Sequence, residues 1–439
     1  MISDVDIYGV SHDGVMELAG HNVRDLLNEF GSPLIVVLED VVRANCRAYR
    51  KKIESYPKPT RAYYASKAFL TTGFCRLIEE EDMCLDVASH GELYTALQAG
   101  FPPERILMHG NAKTREDLTL ALEAGIGRIA IDNVAEIERL AGLAQEMGKV
   151  ANVYLRISPG IKPSTHAYVQ TGQVDSKFGF DMQSGAADEA VKKVLGYPSL
   201  RLIGLHYHIG SQIFMMEPFW VAARKMMEFY AHVQQELGAP LEELDMGGGL
   251  GIRYTSGDEP PQVEEHLARL RNIVLELSNS LGIEPPILCD EPGRSIVGRA
   301  GVTLYTVQSL KQIEDVRNYA SVDGGMTDNP RFALYNSKYE VLLANRMNEK
   351  ADSEWTISGR CCESGDMLQK DVSLPEVRVG DAIAFLSTGA YTYSMASQYN
   401  RVARPAVALV SSERVGLLAR RETAKDLIQL DQIPTWLKR

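Results

Sequence analysis

The chain contains no apolar run near the roughly 20 residues that cross a bilayer. Its start lacks the charged segment followed by an apolar stretch that marks a secreted chain. Both absences predict a cytoplasmic protein with no membrane partner. Its six cysteines, Cys46, Cys75, Cys84, Cys289, Cys361 and Cys362, make no Cys-x-x-Cys pair and no metal-ligand spacing, so reduced thiols and no metal are expected. Basic charge is scarce as well: 46 Lys and Arg stand against 58 Asp and Glu, for a net charge of -12. Phosphate-rich partners need clustered cations, so no nucleic-acid or anionic-membrane surface is expected. No low-complexity tract or marked internal repeat interrupts the chain.

What is present is a series of eight short β-branched, aliphatic or aromatic runs: Ala62 to Ser66, Met83 to Val87, Arg105 to Met108, Arg128 to Ile131, Asn152 to Ile157, Leu202 to Tyr207, Glu243 to Met246 and Pro286 to Cys289. Helical patterns lie between them. Ser89 with Glu92, Thr114 with Asp117 and Asn133 with Glu136 are spaced as capping boxes or their variants, and Val134, Ile137, Leu140 and Met147 recur on one face. Strands alternating with helices predict a parallel (β/α)8 barrel, whose active site is built at the carboxyl ends of the strands. Lys67, Asp86, His109, Asp132, Arg156, His208, Gly247 and Glu291 sit at or just past those ends.

At 439 residues the chain exceeds one ordinary domain. The barrel is predicted over residues 36–298 and a β-rich domain over 299–439. In the latter, β runs occur at Thr303 to Val307, Tyr319 to Val322, Trp355 to Ser358 and Ala382 to Leu386, with a hairpin-like stretch from Ala406 to Ala419. The strand-like residues Asp4 to Leu18, within an N-terminal segment 1–35, are expected to pair with that domain.

Several strand-end groups could carry chemistry. Desolvation at the end of the first strand would make Lys67 a nucleophilic amine able to form a Schiff base, although a solvated charge is the plainer reading. Gly247-Gly248-Gly249-Leu250-Gly251 lets backbone approach a phosphate, or simply makes a tight turn. Glu291 could accept from a protonated pyridine nitrogen or pair with Arg294. His208 could lie against a flat cofactor while Ser211 reaches its phosphate, or be satisfied within the barrel. An amine, a phosphate loop, an imidazole and a carboxylate at one mouth are together the parts that bind pyridoxal phosphate. Beyond the barrel, Cys362 is a plausible proton donor, because a thiol exchanges protons near neutral pH. Arg294 and Arg331 offer forks for carboxylates and Glu363 a partner for an ammonium, as an amphoteric substrate would need, or they form structural ion pairs.

The motifs YYASKA (63–68), Ser89 to Tyr94, THAYVQTG (165–172), SKFGF (176–180), HIGSQ (208–212), GGGLG, EPGR (291–294), MTDNPRFALY (326–335), CCESGD (361–366) and GAYTYSMAS (389–397) carry a resemblance over nearly the whole length. The chain resembles the diaminopimelate decarboxylases, of the alanine-racemase-like, fold-type III class of pyridoxal-phosphate enzymes. That resemblance implies decarboxylation of meso-2,6-diaminopimelate to L-lysine and carbon dioxide, the last step of lysine biosynthesis by that route. It implies that Lys67 holds the cofactor, His208 stacks on its ring, Ser211, Gly248 and Gly249 contact its phosphate and Glu291 pairs with its nitrogen. Asp86, Pro292, Gly293 and Arg294 would complete the cofactor site. Arg294, Arg331, Tyr335, Glu363 and Tyr391 would bind substrate, Tyr391 lying near the cofactor too. It also implies a homodimer in which Cys362 and Glu363 act in the partner's site. Phe332 and Ser337-Lys338 depart from the family pattern and touch only substrate positioning.

A decarboxylase acting on ornithine, lysine or arginine would share the cofactor residues, but a distal carboxylate needs a partner such as Arg331. A racemase is disfavoured because Glu291 favours a strong electron sink. A catalytically dead, regulatory relative is disfavoured by the intact Lys67, Glu291 and Cys362.

Overall fold

The computed structural model describes residues 7–51, 56–161 and 177–438. The THAYVQTG motif and Ser176 of SKFGF lie outside them. The chain forms two compact units. One holds Arg43–Ile252 and Glu259–Ile296, the other Val5–Val42, Arg253–Asp258 and Val297–Arg439.

In the first unit the strands are Thr60–Ala65, Cys84–Val87, Ile106–Met108, Arg128–Ile131, Ala151–Ser158, Leu200–His206, Glu243–Asp245 and Ile287–Asp290. Each pairs in parallel with the next, and the eighth pairs with the first, Leu288 beside Thr60 and Asp290 beside Ala62, which closes the (β/α)8 barrel. Register levels the functional positions at one end: Ala65 lies beside Asp86, and His206 beside both Arg156 and Asp245. In the sixth strand the register shifts between Leu202 and Gly204. A Cβ on Gly204 would stand 2.8 Å from the Tyr154 ring, so only glycine lets the strands approach there.

Helix starts follow the expected caps with one refinement. Thr114 and Asp117 exchange both bonds of a capping box. Ser89 and Asn133 accept from the amides of Glu92 and Glu136, but those glutamates reach back to the amides of Ala88 and Asp132 instead. Glutamate has one more methylene than aspartate, and the extra length carries it one residue further. Of the apolar face expected on Val134–Glu146, Ile137 and Leu140 are buried together with Ala141 and Ala144. Val134, at the first helical residue, is 48% exposed, and Met147 is half-buried at the C-cap.

The barrel interior is filled by a layer that includes Tyr63, Cys84, Leu107, Ala130, Tyr154, Ile203 and Cys289. Glu243, at the amino end of its strand, is buried against Arg61, Arg128 and the Tyr154 hydroxyl, with both oxygens 2.7 Å from the Arg128 guanidinium. Burial pushes this carboxyl up, but Arg128 and the other partners hold it below the usual range.

In the second unit the large sheet runs Met367–Leu374, Ser353–Ser358, Arg317–Val322, Gly301–Ile313, Leu34–Leu38, Ala406–Val410 and Val415–Ala419, with Ala382–Leu386 and then Val341–Leu343 branching from Gly301–Ile313. The N-terminal strands Gly9–Val10, Met16–Leu18 and His21–Asn22 belong to this unit but form a small sheet of their own, tied to it by the Met16 amide donating to Ala344 and the Met347 amide donating to Gly14, each at 2.7 Å. Leu34–Leu38 is the segment that enters the large sheet, flanked on both sides and buried at all five residues, as a continuous aliphatic run must be. Residue 36, the expected start of the barrel, lies inside that strand, and the compact units divide after Val42 and after Ile296. Among the described residues no helix is long and apolar enough to cross a membrane.

The Glu243 cluster yields a stability prediction. Glu243→Ala leaves two guanidinium groups with no shared anion, and breaking a buried pair in this way costs about 3–5 kcal/mol. The check is the denaturant midpoint of the variant, with an unchanged slope; a loss under about 1 kcal/mol, as for a surface pair, would show that the cluster does not hold the barrel together.

Candidate active site

At the carboxyl end of the barrel, two loops are laced side by side. After strand six, the Ile213 amide donates to Gly249 at 3.0 Å and the Gly251 amide donates back to Ile213 at 2.9 Å. The Gln212 side chain donates to the Ile252 carbonyl at 2.8 Å and accepts from the Ile252 amide at 3.2 Å. The glycines permit this approach. A Cβ on Gly248 would lie 2.0 Å from the Glu291 carbonyl oxygen, and on Gly249, at φ +116°, 2.2 Å from that of Gly210. The Gly248 amide donates to Nδ1 of His208 at 3.2 Å, which leaves that ring's hydrogen on Nε2. Burial, with Lys67 and Arg156 nearby, pushes the His208 imidazole well down, so the ring is neutral. Ser211 accepts from the buried Arg294 guanidinium at 2.9 Å.

The EPGR segment binds the eighth strand to the first. Pro292 accepts from the Ala65 amide at 3.0 Å, and a Cβ on Gly293 would stand 3.0 Å from that of Ala65. Immediately beyond Ala65 the short turn Ser66–Ala68 carries Lys67, whose residue is exposed. Lys67 is close enough to act electrostatically on Asp86 and His208. Asp86 is buried, and burial pushes its carboxyl up against the opposing pull of His109, Lys67 and Arg156. Its Oδ1 has no hydrogen-bond partner among the described residues.

Glu291 follows the eighth strand and is buried. Its Oε1 is hydrogen-bonded to Nε2 of His109 and its Oε2 lies 3.3 Å from Nε2 of His206. Burial pushes this carboxyl up, but the two imidazoles overcome it and hold the group well below the usual range. Arg156, on the fifth strand, lies 3.7 Å from Asp132 and stacks its guanidinium 4.2 Å from the Phe178 ring. His109 was expected at a strand end but without a role, and His206 was not expected at the site. The alternation of a strand offered a signal for His206, because positions two apart, here 206 and 208, face the same side.

In the second unit, Arg331 begins the short helix Arg331–Tyr335 and is buried. Its guanidinium carbon lies 5.2, 5.9 and 6.0 Å from the rings of Tyr254, Tyr335 and Tyr391. It donates to Ser337 at 3.2 Å, so one family departure supplies a partner for it. Among the described residues no carboxylate pairs with it, and its Nε is buried without an acceptor. Tyr254 had no sequence signal. Tyr391 holds φ at +60°, a conformation that non-glycine residues adopt at a cost.

Cys362 and Glu363 are exposed on a loop anchored by Asp366. The buried Asp366 carboxylate accepts from the amides of Met326 and Cys361, each at 2.7 Å. Gly325 and Gly359 leave it room, since a Cβ on either would stand within 2.6 Å of a carboxylate oxygen. The Ser397 amide donates to Thr327 at 2.9 Å, bringing in the third loop. Cys362 donates its amide to Asn400 at 2.8 Å, and Glu363 accepts from Gly365 at 3.2 Å.

These features agree with what the chain is similar to. Residues 39–298 match the family described as "Pyridoxal-dependent decarboxylase, pyridoxal binding domain". Diaminopimelate decarboxylase of Bacillus subtilis is 46% identical, with 95% of each chain covered, and that of Mycobacterium tuberculosis 43%, also with 95% of each covered. Diaminopimelate decarboxylase of M. jannaschii, solved in complex with L-lysine, superposes with a TM-score of 0.93 at 35% identity over 99% of both chains. A lysine/ornithine decarboxylase from Vibrio vulnificus shares the fold, with a TM-score of 0.75 at 22% identity over 89% of this chain and 97% of that one. The barrel, its laced glycine loop and the full-length likeness together show that this chain belongs to the diaminopimelate decarboxylase family of pyridoxal-phosphate-dependent decarboxylases.

Proposed function

We propose that the protein decarboxylates meso-2,6-diaminopimelate to L-lysine and carbon dioxide with pyridoxal phosphate, as a cytoplasmic homodimer. The observation that carries the substrate assignment is Arg331, a buried guanidinium walled by tyrosines with no carboxylate partner among the described residues. Burying an unpaired cation is costly, and a substrate with a second carboxylate supplies the missing anion. Ornithine, lysine and arginine carry no such group.

The barrel mouth fits the cofactor. The loops at Gly248 and Gly249 are closed to any side chain, as a backbone cradle for an anion requires, and His208 is a neutral flat ring beside them. Glu291 is anionic and Asp86 keeps an unused buried oxygen. Lys67 would hold the cofactor through its amine, with Ser211, Gly248 and Gly249 at the phosphate, His208 on the ring and Glu291 at the nitrogen. Pro292 and Gly293 keep the Lys67 turn against the eighth strand. When bound, the cofactor supplies an electron sink for the carbon that loses carbon dioxide.

The chain's own residues do the rest. Arg331 orients the distal carboxylate bidentately, with Tyr335 and Tyr391 beside it, while Arg294 adds a second cationic fork and Glu363 binds the distal ammonium. Cys362 returns a proton to the carbon that lost carbon dioxide. Its exposure, and that of Glu363, supports a role in the partner subunit's site, where association would remove both from water.

Arg331→Ala should lower turnover of meso-diaminopimelate by roughly 100-fold or more, the worth of a lost charge-assisted bond to a buried partner. The assay is lysine and carbon dioxide release from meso-diaminopimelate, L-ornithine, L-lysine and L-arginine offered separately. Unchanged turnover in the variant would remove Arg331 from the substrate site, and preference for a monocarboxylate by the wild type would overturn the substrate.

Lys67→Ala and Cys362→Ala should each be nearly inactive alone. Mixed in equal amounts and allowed to exchange subunits, they should regain about one quarter of wild-type activity, because half of randomly paired dimers then hold one intact site of two. No recovery with confirmed exchange would place Cys362 in its own subunit's site.

A further inference from the structure

Three separate strands deliver the Glu291 environment: His109 follows the third, His206 ends the sixth and Glu291 follows the eighth. Their donor and acceptor atoms all lie within 4.8 Å of one another, and all three residues are buried. We propose that His109 and His206 are positioning residues that clamp the Glu291 carboxylate, one imidazole N–H to each oxygen, so that it stays an anion able to keep the cofactor's pyridine nitrogen protonated. The inference rests on the cofactor reading above and adds the groups that make Glu291 competent for it.

Geometry carries the argument. Among the described residues Nδ1 of His206 is buried with no hydrogen-bond partner, so the ring's useful hydrogen belongs on Nε2, the atom facing Glu291. The rings of His109 and His206 pack with centroids 4.5 Å apart at 57°, so neither turns without displacing the other. The Glu291 amide donates to Gly247 at 2.8 Å, which pins the backbone beneath the carboxylate.

Such a clamp has work to do in this place. Asp86, Asp245 and Asp290 are buried carboxyls that interact electrostatically with Glu291, and like charges drive one another toward protonation. Arg156 opposes them. Burial alone would favour the neutral acid, which could not stabilise a pyridinium. At His206 a neutral imidazole solves this better than a cation would. Burial pushes His206 down to about 3, so at neutral pH it donates a hydrogen bond without bringing a positive charge. The negative charge of Glu291 is therefore not spent on a His206 imidazolium.

The test uses holoprotein loaded with pyridoxal 5'-phosphate labelled with 15N in the ring. His109→Leu and His206→Leu remove the donors, whereas His109→Gln and His206→Gln keep an N–H. The clamp predicts that each Leu variant loses the protonated-nitrogen resonance at neutral pH and drops kcat roughly 10- to 100-fold, the worth of one hydrogen bond to a charged group, while the Gln variants retain the resonance. A folded Leu variant with the wild-type resonance would overturn the clamp alone. A wild-type ring nitrogen that is unprotonated would overturn the clamp and the cofactor role of Glu291 together. Should the Leu variants not fold, imidazole 15N spectra of the wild type decide the matter: hydrogen on Nε2 of both rings supports the clamp, and hydrogen on Nδ1 of either refutes it.

Discussion

Closure of the barrel by the parallel pairing of Ile287–Asp290 with Thr60–Ala65 is the constraint on which the first unit depends. Residues 67 and 291 are far apart in the chain, yet pairing brings the ends of their strands side by side. The EPGR backbone then takes the Ala65 amide, so the turn that carries Lys67 and the segment that carries Glu291 become one piece of structure. A barrel strand has no free edge, and none of these groups can shift without breaking ladder bonds on both sides.

Closure also concentrates charge. The strand ends converge with Asp86, Asp245, Asp290 and Glu291 buried within one mouth. Burial pushes Asp245 well up and Asp290 up to about 6, whereas Glu291 is held down by its imidazoles. The site thus separates its carboxyls into groups that tend to keep a proton and one that gives it up. The separation comes from the electrostatic pull and hydrogen bonds of His109 and His206 on Glu291 rather than from exposure, since all four are buried.

The second unit uses a carboxylate differently. Asp366 serves the backbone, taking two amides and so setting the loop that presents Cys362 and Glu363, while glycines at 325 and 359 make its space. Arg331 shows the complementary situation, a buried cation among aromatic faces. Three tyrosines attract a guanidinium through their ring faces but do not neutralise it. The guanidinium is therefore stabilised enough to stay buried and still able to bind an anion.

Much of this was legible in the chain. The eight barrel segments were readable because each is a short β-branched, aliphatic or aromatic run between helical stretches with explicit caps, and the strand-end positions of Lys67, Asp86, His208 and Glu291 follow from those runs. Local patterns of two and 3.6 residues are set by neighbours in sequence, so sequence alone determined them. Leu34–Leu38 could not be assigned that way, because an all-aliphatic run has no alternation to say which sheet will flank it. The same holds for the capping glutamates that reach one residue further, for Tyr254 beside Arg331, and for the two histidines on Glu291. Each depends on distances between residues remote in the chain. Those distances exist only once the ladders have closed and burial has made an unpaired polar group expensive, and that is what the tertiary structure decided.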